Sequence, residues 1–302
     1  ADSISAVLEQ FYASRSLYTR MRQKSVDLRK IISTHLERSS KKLDLQLKQL
    51  KDTEKRDKFK VYGELLNTYG YQVTEGAKSV EVPNYYTGEM LTIPLDETLS
   101  PLDNAKKYFA RYNKLKRTFE ALNTQTEETR TEIAHLQTIQ AALAIAESED
   151  DLAQIRDELE TYGYIRRKMN GKKKQKSKSK PFHYRSSDGF DIYVGKNNFQ
   201  NDELTFKVAN GNDWWFHAKG MPGSHVIVKT EGRELPDRTF EEAGRLAGYY
   251  SSGRDNEKIE IDYLQRKNVK KPNGAVAGYV IYYTNYSLTI HPDISGIEKI
   301  SE

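Results

Sequence analysis

The sequence predicts an α+β multidomain protein, in which a long antiparallel helical coiled-coil hairpin with a small β-containing tip precedes a compact α+β domain. Residues 101–146 carry a seam of side chains at alternating steps of four and three, which is the pattern of a coiled coil. Residues 18–58 are polar and carry a second apolar stripe at helical spacing. After Pro181 the sequence pattern changes to short predicted strands interrupted by two predicted helices, which indicates an α+β domain.

Composition limits the classes of protein to which this chain can belong. Its 302 residues allow about two domains, and its 30% charged and 37% apolar residues favour long solvated helices over one large core. The chain contains no cysteine, which excludes disulfides and thiolate metal sites. No run of 18 apolar residues occurs, so we expect no membrane insertion. The opening residues, ADSISAVLEQFY, lack Met and a signal pattern, and we expect an excised fragment.

The two helical arms are predicted to form one unit over residues 18–163. The second arm begins with Ser100 as the N-cap, Pro101 at the first helical position and Asp103 in the first turn. The intervening tip, about residues 61–99, contains a helix over 61–70 and an alternating stretch over 79–95. That stretch predicts a β-hairpin about Thr87 and Gly88. A shorter amphipathic helix, about 149–162, follows the second arm.

A basic linker is predicted over residues 164–181. Arg166–Lys180 holds nine Lys and Arg and no acid, so the net charge of +5 becomes 5 − 9 = −4 for the rest of the chain. Such a segment cannot pack a core. Two interpretations remain open, namely a solvated tether and a set of phosphate contacts that includes Lys172, Lys173 and Lys174.

The C-terminal domain is predicted over residues 182–302. Its helices are expected at 197–209 and 239–251. The expected strands share alternation and β-branched or aromatic residues: 182–185, 190–194, 214–218, 224–229, 258–264, 278–284 and 287–291.

The stretch NDWWFHAKGMPGSHVIVKT, residues 212–230, holds both tryptophans of the chain and two of its six histidines. Its glycines and proline favour a tight reversal between two antiparallel strands. If Ala218 pairs with Ser224, then His217 stands opposite His225, and Trp215 lies on the same face. Trp214 would then face the core, while Trp215 and the two histidines form a partly exposed face with Asp213 at its edge.

Four functions of this face remain open at the level of sequence. Asp213, His217 and His225 could hold a metal ion in a metal-dependent enzyme, or the histidine pair could act as general acid and base. The rings could instead stack on nucleic-acid bases, with Asp213 among the polar contacts. In the fourth interpretation, Asp213 and the histidines only hold the hairpin by hydrogen bonds.

A second candidate site is the stretch VGKNNFQND, residues 194–202. Gly195 permits a tight strand-to-helix turn, and free amides at a helix N-terminus favour a phosphate group. The alternative is simple helix capping. The candidate RNA contacts outside the tryptophan stretch and the linker are Arg185, Lys196, Asn197, Asn198, Asn201 and Asp202.

Several of these motifs resemble one family. NAKKYFARYNKLK (104–116) and IRDELETYGY (155–164) are similar to the coiled-coil and middle regions of the NFACT proteins. The family's C-terminal RNA-binding module, NFACT-R, is resembled by four stretches: DGFDIYVGKNNFQND (188–202), DWWFHAKGMPGSHVIV (213–228), EEAGRLAGYYS (241–251) and GYVIYYTNYSLTI (278–290). Residues 1–17 resemble the junction that follows two N-terminal family domains absent here.

The resemblance implies a role in ribosome quality control. Family members bind large ribosomal subunits stalled with peptidyl-tRNA, through rRNA and stalk-base proteins, and recruit aminoacyl-tRNA so that C-terminal tails, alanine tails in bacteria, are added. The ribosome makes the bonds, so the resemblance implies a cytoplasmic scaffold that is no enzyme and needs no cofactor. The family is also described as an unanchored cell-surface adhesin, so the alternative is a fibronectin-binding protein.

Overall fold

The computed structural model describes residues 4–166 and 179–300, with side chains described at residue 19 and from residue 21 onwards. Most of the predicted linker, including Lys172, Lys173 and Lys174, lies outside the described residues, so its phosphate contacts stay a prediction. The chain divides into two compact units, Ala1–Glu37 with Ile133–Glu302, and Arg38–Glu132. These units do not divide at the predicted boundaries near residues 163 and 181.

The two predicted arms are long helices, α1 (Ile4–Asp52) and α3 (Pro101–Ala144). Ser39 Oγ donates to Glu132 at 3.1 Å, and Gln46 Nε2 donates to the carbonyl of Gln125 at 3.5 Å. Because a later residue of α1 contacts an earlier residue of α3, the helices are antiparallel, as predicted. None of the helices in the described parts of the chain is long and apolar enough to cross a bilayer.

The unit Arg38–Glu132 contains the predicted tip. Helix α2 (Arg56–Tyr69) packs on a hairpin of β1 (Ser79–Pro83) and β2 (Met90–Pro94), which pair antiparallel over five residue pairs. The buried side chains of this unit include Leu65 of α2, Val82 of β1 and Ile93 of β2. The hairpin and its turn were therefore predicted correctly.

The other unit joins the helical region to the C-terminal domain. Helix α4 (Glu149–Thr161) begins at a capping box in which the Ser148 side chain accepts from the amide of Asp151. Its apolar face buries Ile155 and Leu159 against Ile32 of α1 and Ile139 of α3. The last residues of α3 reach the next domain, because Ile145 belongs to the buried cluster of the sheet.

The C-terminal domain is built on a seven-stranded antiparallel sheet. The strands are β3 (Phe182–Arg185), β4 (Asp191–Val194), β5 (Trp214–Ala218), β6 (Val226–Val228), β7 (Ile259–Gln265), β8 (Tyr286–Ile290) and β9 (Glu298–Lys299). Their order in the sheet is β8-β7-β5-β6-β4-β3-β9. The predicted α+β class is confirmed.

Both faces of this sheet are covered. Helix α6 (Asp237–Tyr249) packs its buried Ala243, Leu246 and Ala247 on one face. The opposite face is covered by α5 (Asn198–Glu203), a π-helical turn (Leu204–Val208) and residues 269–282. The strand predicted over 278–284 is wrong, because this segment packs across the sheet and makes only one isolated bridge, between Ile281 and Lys270.

The helical cluster generates a stability prediction. Ile139→Ala should lower the free energy of unfolding by about 2–5 kcal/mol, because it removes a fully buried side chain that α1 and α4 enclose. Val26→Ala is the control, since Val26 is 51% exposed on α1. Chemical denaturation followed by helical circular dichroism measures both, and an equal loss in the two variants would contradict the packing.

Candidate nucleic-acid interface

The predicted face of Trp215 and the two histidines exists, in the predicted register. Trp215 is paired with Ile227, and Phe216 with Val226, which is the register that sets His217 opposite His225. The ring centroids of the two histidines lie 5.6 Å apart, and the Trp215 ring stacks on His217 at 5.6 Å. The alternation in the sequence therefore predicted correctly which of these side chains share a face.

The predicted partial exposure is wrong for Trp215 and His225, whereas His217 is partly exposed. Trp215 is 0% exposed and His225 is 2% exposed, whereas Trp214 is only partly buried. The reason is the second layer, in which Leu204 of the π-helical turn and Val269 pack on Trp215. Trp215 therefore cannot stack on a base in this structure, and Trp214 lies against Phe240 of α6 at 4.8 Å.

Burial favours the uncharged form of both histidines. It lowers the pKa of His225 well below its ordinary value, and the neighbouring His217 adds to this effect. Burial also lowers the pKa of His217, although a hydrogen bond to the backbone of Gly223 raises that pKa in part. The Nδ1 atom of His225 lies 2.8 Å from the Thr205 hydroxyl, so His225 is a satisfied core residue.

Asp213 lies away from the histidines and supports the start of β5. Its carboxylate pairs with Lys229 at 2.5 Å and accepts from the amides of Asn210 and Thr230. Burial by itself raises the pKa of Asp213, but these hydrogen bonds outweigh it and lower the pKa below its ordinary value.

The metal interpretation therefore loses its geometry. The three side chains do not converge, because the carboxylate of Asp213 is directed at Lys229 and Thr230. Among residues 4–166 and 179–300, no group of three or more His, Asp and Glu side chains is arranged to hold a metal ion. The interpretation in which Asp213 and the histidines hold the strands by hydrogen bonds agrees with these contacts.

The second candidate stretch forms a joint inside the unit. Asn197 caps α5, because its Oδ1 accepts from the amide of Gln200 at 3.0 Å. Two side chains of this stretch contact α4. The Lys196 ammonium lies 3.3 Å from the carboxylate of Asp151, and the Asn197 side-chain amide donates to Gln154. These side chains are mostly buried, and the capping alternative agrees with the structure.

Asn198 makes the most connections in this joint. Its Nδ2 donates to Glu158 Oε1 at 2.7 Å and to Thr138 Oγ1 at 2.8 Å. His135 Nε2 lies 3.0 Å from the same Glu158 oxygen. One buried carboxyl group thus joins α3, α4 and α5.

Asn201 makes the corresponding connection to the sheet. Its Oδ1 accepts from the amide of His225 at 3.0 Å and occupies the space in which a side chain at position 195 would stand. Gly195 is therefore required by close approach and not by a turn. Arg185 lies elsewhere, at the end of β3, where it is exposed and pairs with Asp191 at 3.2 Å.

Three of the predicted residues converge on Gly278. The amide of Gly278 donates to Asp202 Oδ1 at 3.0 Å, and the His225 ring hydrogen-bonds to its backbone. Gly278 has a φ of 78°, and a Cβ there would stand 2.3 Å from Asn198 Oδ1, so only glycine fits. Asp202 also pairs with Lys271. These residues position the segment 270–283, which sequence analysis did not propose as a site.

This segment, together with residues 266–267 and the π-helical turn, carries the exposed basic and aromatic groups that the predicted face lacks. We define the basic tyrosine surface by six residues: Lys207, Arg266, Lys267, Lys270, Tyr279 and Tyr283. The three lysines are exposed and form no ion pair with any described residue. Arg266 lies over the Phe206 ring and donates to the Thr205 carbonyl at 2.6 Å, which places it beside Lys207.

The exposure of this surface follows from alternation along the segment. Val280 and Tyr282 pack on the buried cluster, whereas Tyr279 is 49% and Tyr283 is 81% exposed. Lys270 and Ile281 exchange two backbone hydrogen bonds of 2.9 and 2.8 Å, so the Lys270 side chain stands on the outward face with the tyrosines. The signal was present in the sequence as RKNVKK followed by GYVIYYTNY.

Comparison with known protein families finds two matches along the chain. Residues 1–178 match the NFACT N-terminal and middle domains, and residues 180–282 match the NFACT protein RNA binding domain. The chain is 38% identical over 300 residues to the Rqc2 homolog RqcH of Streptococcus suis and 35% identical over 305 residues to that of Bacillus subtilis.

Those alignments cover 99% and 100% of this chain but 54% and 53% of the relatives, so the chain spans about half the length of the curated relatives it matches. A solved structure is also similar, that of the C-terminal of the fibronectin/fibrinogen-binding protein from Streptococcus suis. Its TM-score is 0.72 at 32% sequence identity, covering 93% of this chain and 100% of that chain.

The two tryptophans offer a matched test of the sheet. Trp215→Ala should lower the free energy of unfolding by about 3–5 kcal/mol, because its whole ring is enclosed. Trp214→Ala should lower it by less, because part of that ring remains in solvent. Urea denaturation of the two variants checks the order, and a larger loss at Trp214 would invert the assignment of faces.

The buried His225 predicts a pH dependence. Its folded pKa is depressed, so below the unfolded value of about 6.5 the unfolded chain binds a proton that the folded chain does not. The contribution of neutral His225 to the free energy of unfolding is therefore complete above about pH 6.5. It declines as the pH falls further, by up to about 1.4 kcal/mol per pH unit. Urea denaturation between pH 7 and 5 measures the free energy of unfolding at each pH. Its decrease with falling pH should be smaller for His225→Gln than for the exposed-site control His291→Gln.

Proposed function

This chain belongs to the NFACT family, and from that premise we propose that it is the C-terminal part of a ribosome quality-control factor that binds RNA through residues 180–300. Two relatives that match the whole chain carry the name Rqc2 homolog RqcH, which supports this role. The match of residues 180–282 to an RNA binding domain supports an RNA contact through the sheet domain.

The observation that carries the proposal is the basic tyrosine surface. Phosphate groups dominate the affinity of proteins for RNA, and they require cations that are not already neutralised. Lys207, Lys267 and Lys270 meet this requirement, since none forms an ion pair among the described residues. The nearby acids Asp202 and Asp213 are engaged by Lys271 and Lys229, so they do not neutralise this surface.

The finer partners belong to the same proposal. We expect rRNA and stalk-base proteins of the large ribosomal subunit, with peptidyl-tRNA and aminoacyl-tRNA nearby, to be the assembly that this chain joins. The chain then acts as a scaffold in the cytoplasm, and bond formation is left to the ribosome. The burial of His225 is compatible with this role, because its ring lies in the core, 2.8 Å from the Thr205 hydroxyl.

Fibronectin binding is the second candidate function. The observation that favours it is the similarity to a solved domain described as part of a fibronectin/fibrinogen-binding protein. Binding of the intact chain to immobilised fibronectin and to purified large ribosomal subunits separates the two candidates. The ribosomal proposal expects saturable binding to the subunits that is competed by RNA, and binding to fibronectin alone would overturn it.

The basic tyrosine surface predicts the salt dependence of RNA binding. Lys267→Gln with Lys270→Gln removes two cations, so affinity should fall and the slope of log K against log salt should decrease by about 0.7–0.9 per lost phosphate contact. Fluorescence anisotropy with a short labelled RNA measures both quantities at several salt concentrations.

The matched control is Lys114→Gln with Lys116→Gln. It removes the same charge from α3, in the other compact unit. Lys114 and Lys116 are exposed and form no ion pair with a described residue, like the two tested lysines. If the control pair flattens the salt slope as much as the tested pair, binding depends on overall charge and the proposed surface is wrong.

A further inference from the structure

We propose that the basic tyrosine surface binds unpaired RNA, with bases stacked on Tyr279 and Tyr283. This inference rests on the proposed RNA-binding function and assigns the class of RNA. It requires three properties of the surface, namely exposed ring faces, fixed positions, and cations placed between the rings.

The two rings are exposed although their neighbours are buried. Tyr279 is 49% and Tyr283 is 81% exposed, while Tyr282 between them packs on Trp215 with ring centroids 5.3 Å apart. No other ring lies close enough to stack on Tyr279 or Tyr283 among the described aromatic contacts. Their ring faces are therefore available to a flat ligand.

The backbone that carries the rings is fixed on both sides. The Asp262 carboxylate accepts from the Tyr282 hydroxyl at 2.8 Å, from Asn285 at 2.8 Å and from Ser287 at 2.7 Å. At the other end, Asp202 accepts from the amide of Gly278, directly before Tyr279. Positions fixed before binding reduce the conformational entropy that a base stack has to overcome.

The geometry favours unpaired bases over a duplex. Tyr279 and Tyr283 are four residues apart, so their Cα atoms are separated by at most about 14 Å, and each exposed ring can receive its own base. A duplex hides the faces of its bases in the helical stack, whereas loops and single strands present them to aromatic side chains. Lys270 stands opposite Ile281, between the two tyrosines, where it can contact the phosphate group that joins the stacked nucleotides.

The test compares two RNA probes on the intact chain. A labelled 12-nucleotide oligouridine represents unpaired RNA, and a blunt 12-base-pair duplex represents paired RNA. Tyr279→Ala and Tyr283→Ala should each weaken oligouridine binding on the order of ten-fold and change duplex binding by less than about two-fold. Tyr279→Phe and Tyr283→Phe should retain oligouridine binding, because stacking needs the ring and not the hydroxyl.

Tyr71→Ala is the matched control, since Tyr71 is also 81% exposed but belongs to the other compact unit. Equal weakening of both probes by the alanine variants, or no weakening of either, would overturn the inference. If the lysine pair alone affects oligouridine binding, RNA binding stands and stacking is wrong. If the unaltered chain binds neither probe nor large subunits, the proposed function fails as well.

Discussion

The buried carboxyl group of Glu158 is the constraint on which the larger compact unit depends. A buried polar group is costly unless it is hydrogen-bonded, and this one is fully enclosed. Its Oε1 accepts from Asn198 and lies beside His135, whereas its Oε2 has no partner among the described atoms. The helices α3, α4 and α5 must therefore meet with little freedom, since any displacement would leave both oxygens unsatisfied.

This constraint extends from the helical joint to the proposed RNA surface. Asn198 begins α5, and α5 places Asn201 against the amide of His225 and Asp202 against the amide of Gly278. The segment that follows Gly278 then presents Tyr279 and Tyr283. Several residues that the sequence offered as RNA contacts thus hold the segment that carries the exposed rings.

Much of the fold could be predicted because its patterns are local. The seam of α3, the hairpin of the tip and the register of His217 with His225 all follow from periodicity and turn residues. The strand predicted over 278–284 failed for a related reason. Its alternation is real, but it reflects packing of Val280 and Tyr282 on a covered sheet and not pairing within that sheet.

The candidate site was harder to predict, because buried polar networks and binding sites use the same residue types. Alternation assigns Trp215 and Trp214 to opposite faces, but it does not show which face a second layer covers. Here α6 covers one face and α5 with residues 269–282 covers the other, so Trp215 is enclosed. A clearer sign of a binding site is a group of lysines without an ion pair beside exposed aromatic residues, as with Lys267, Lys270 and Tyr283. An exposed lysine without an ion pair can bind a phosphate group. An asparagine that already donates a hydrogen bond to a buried carboxyl group cannot, because breaking that bond would leave the carboxyl group unsatisfied.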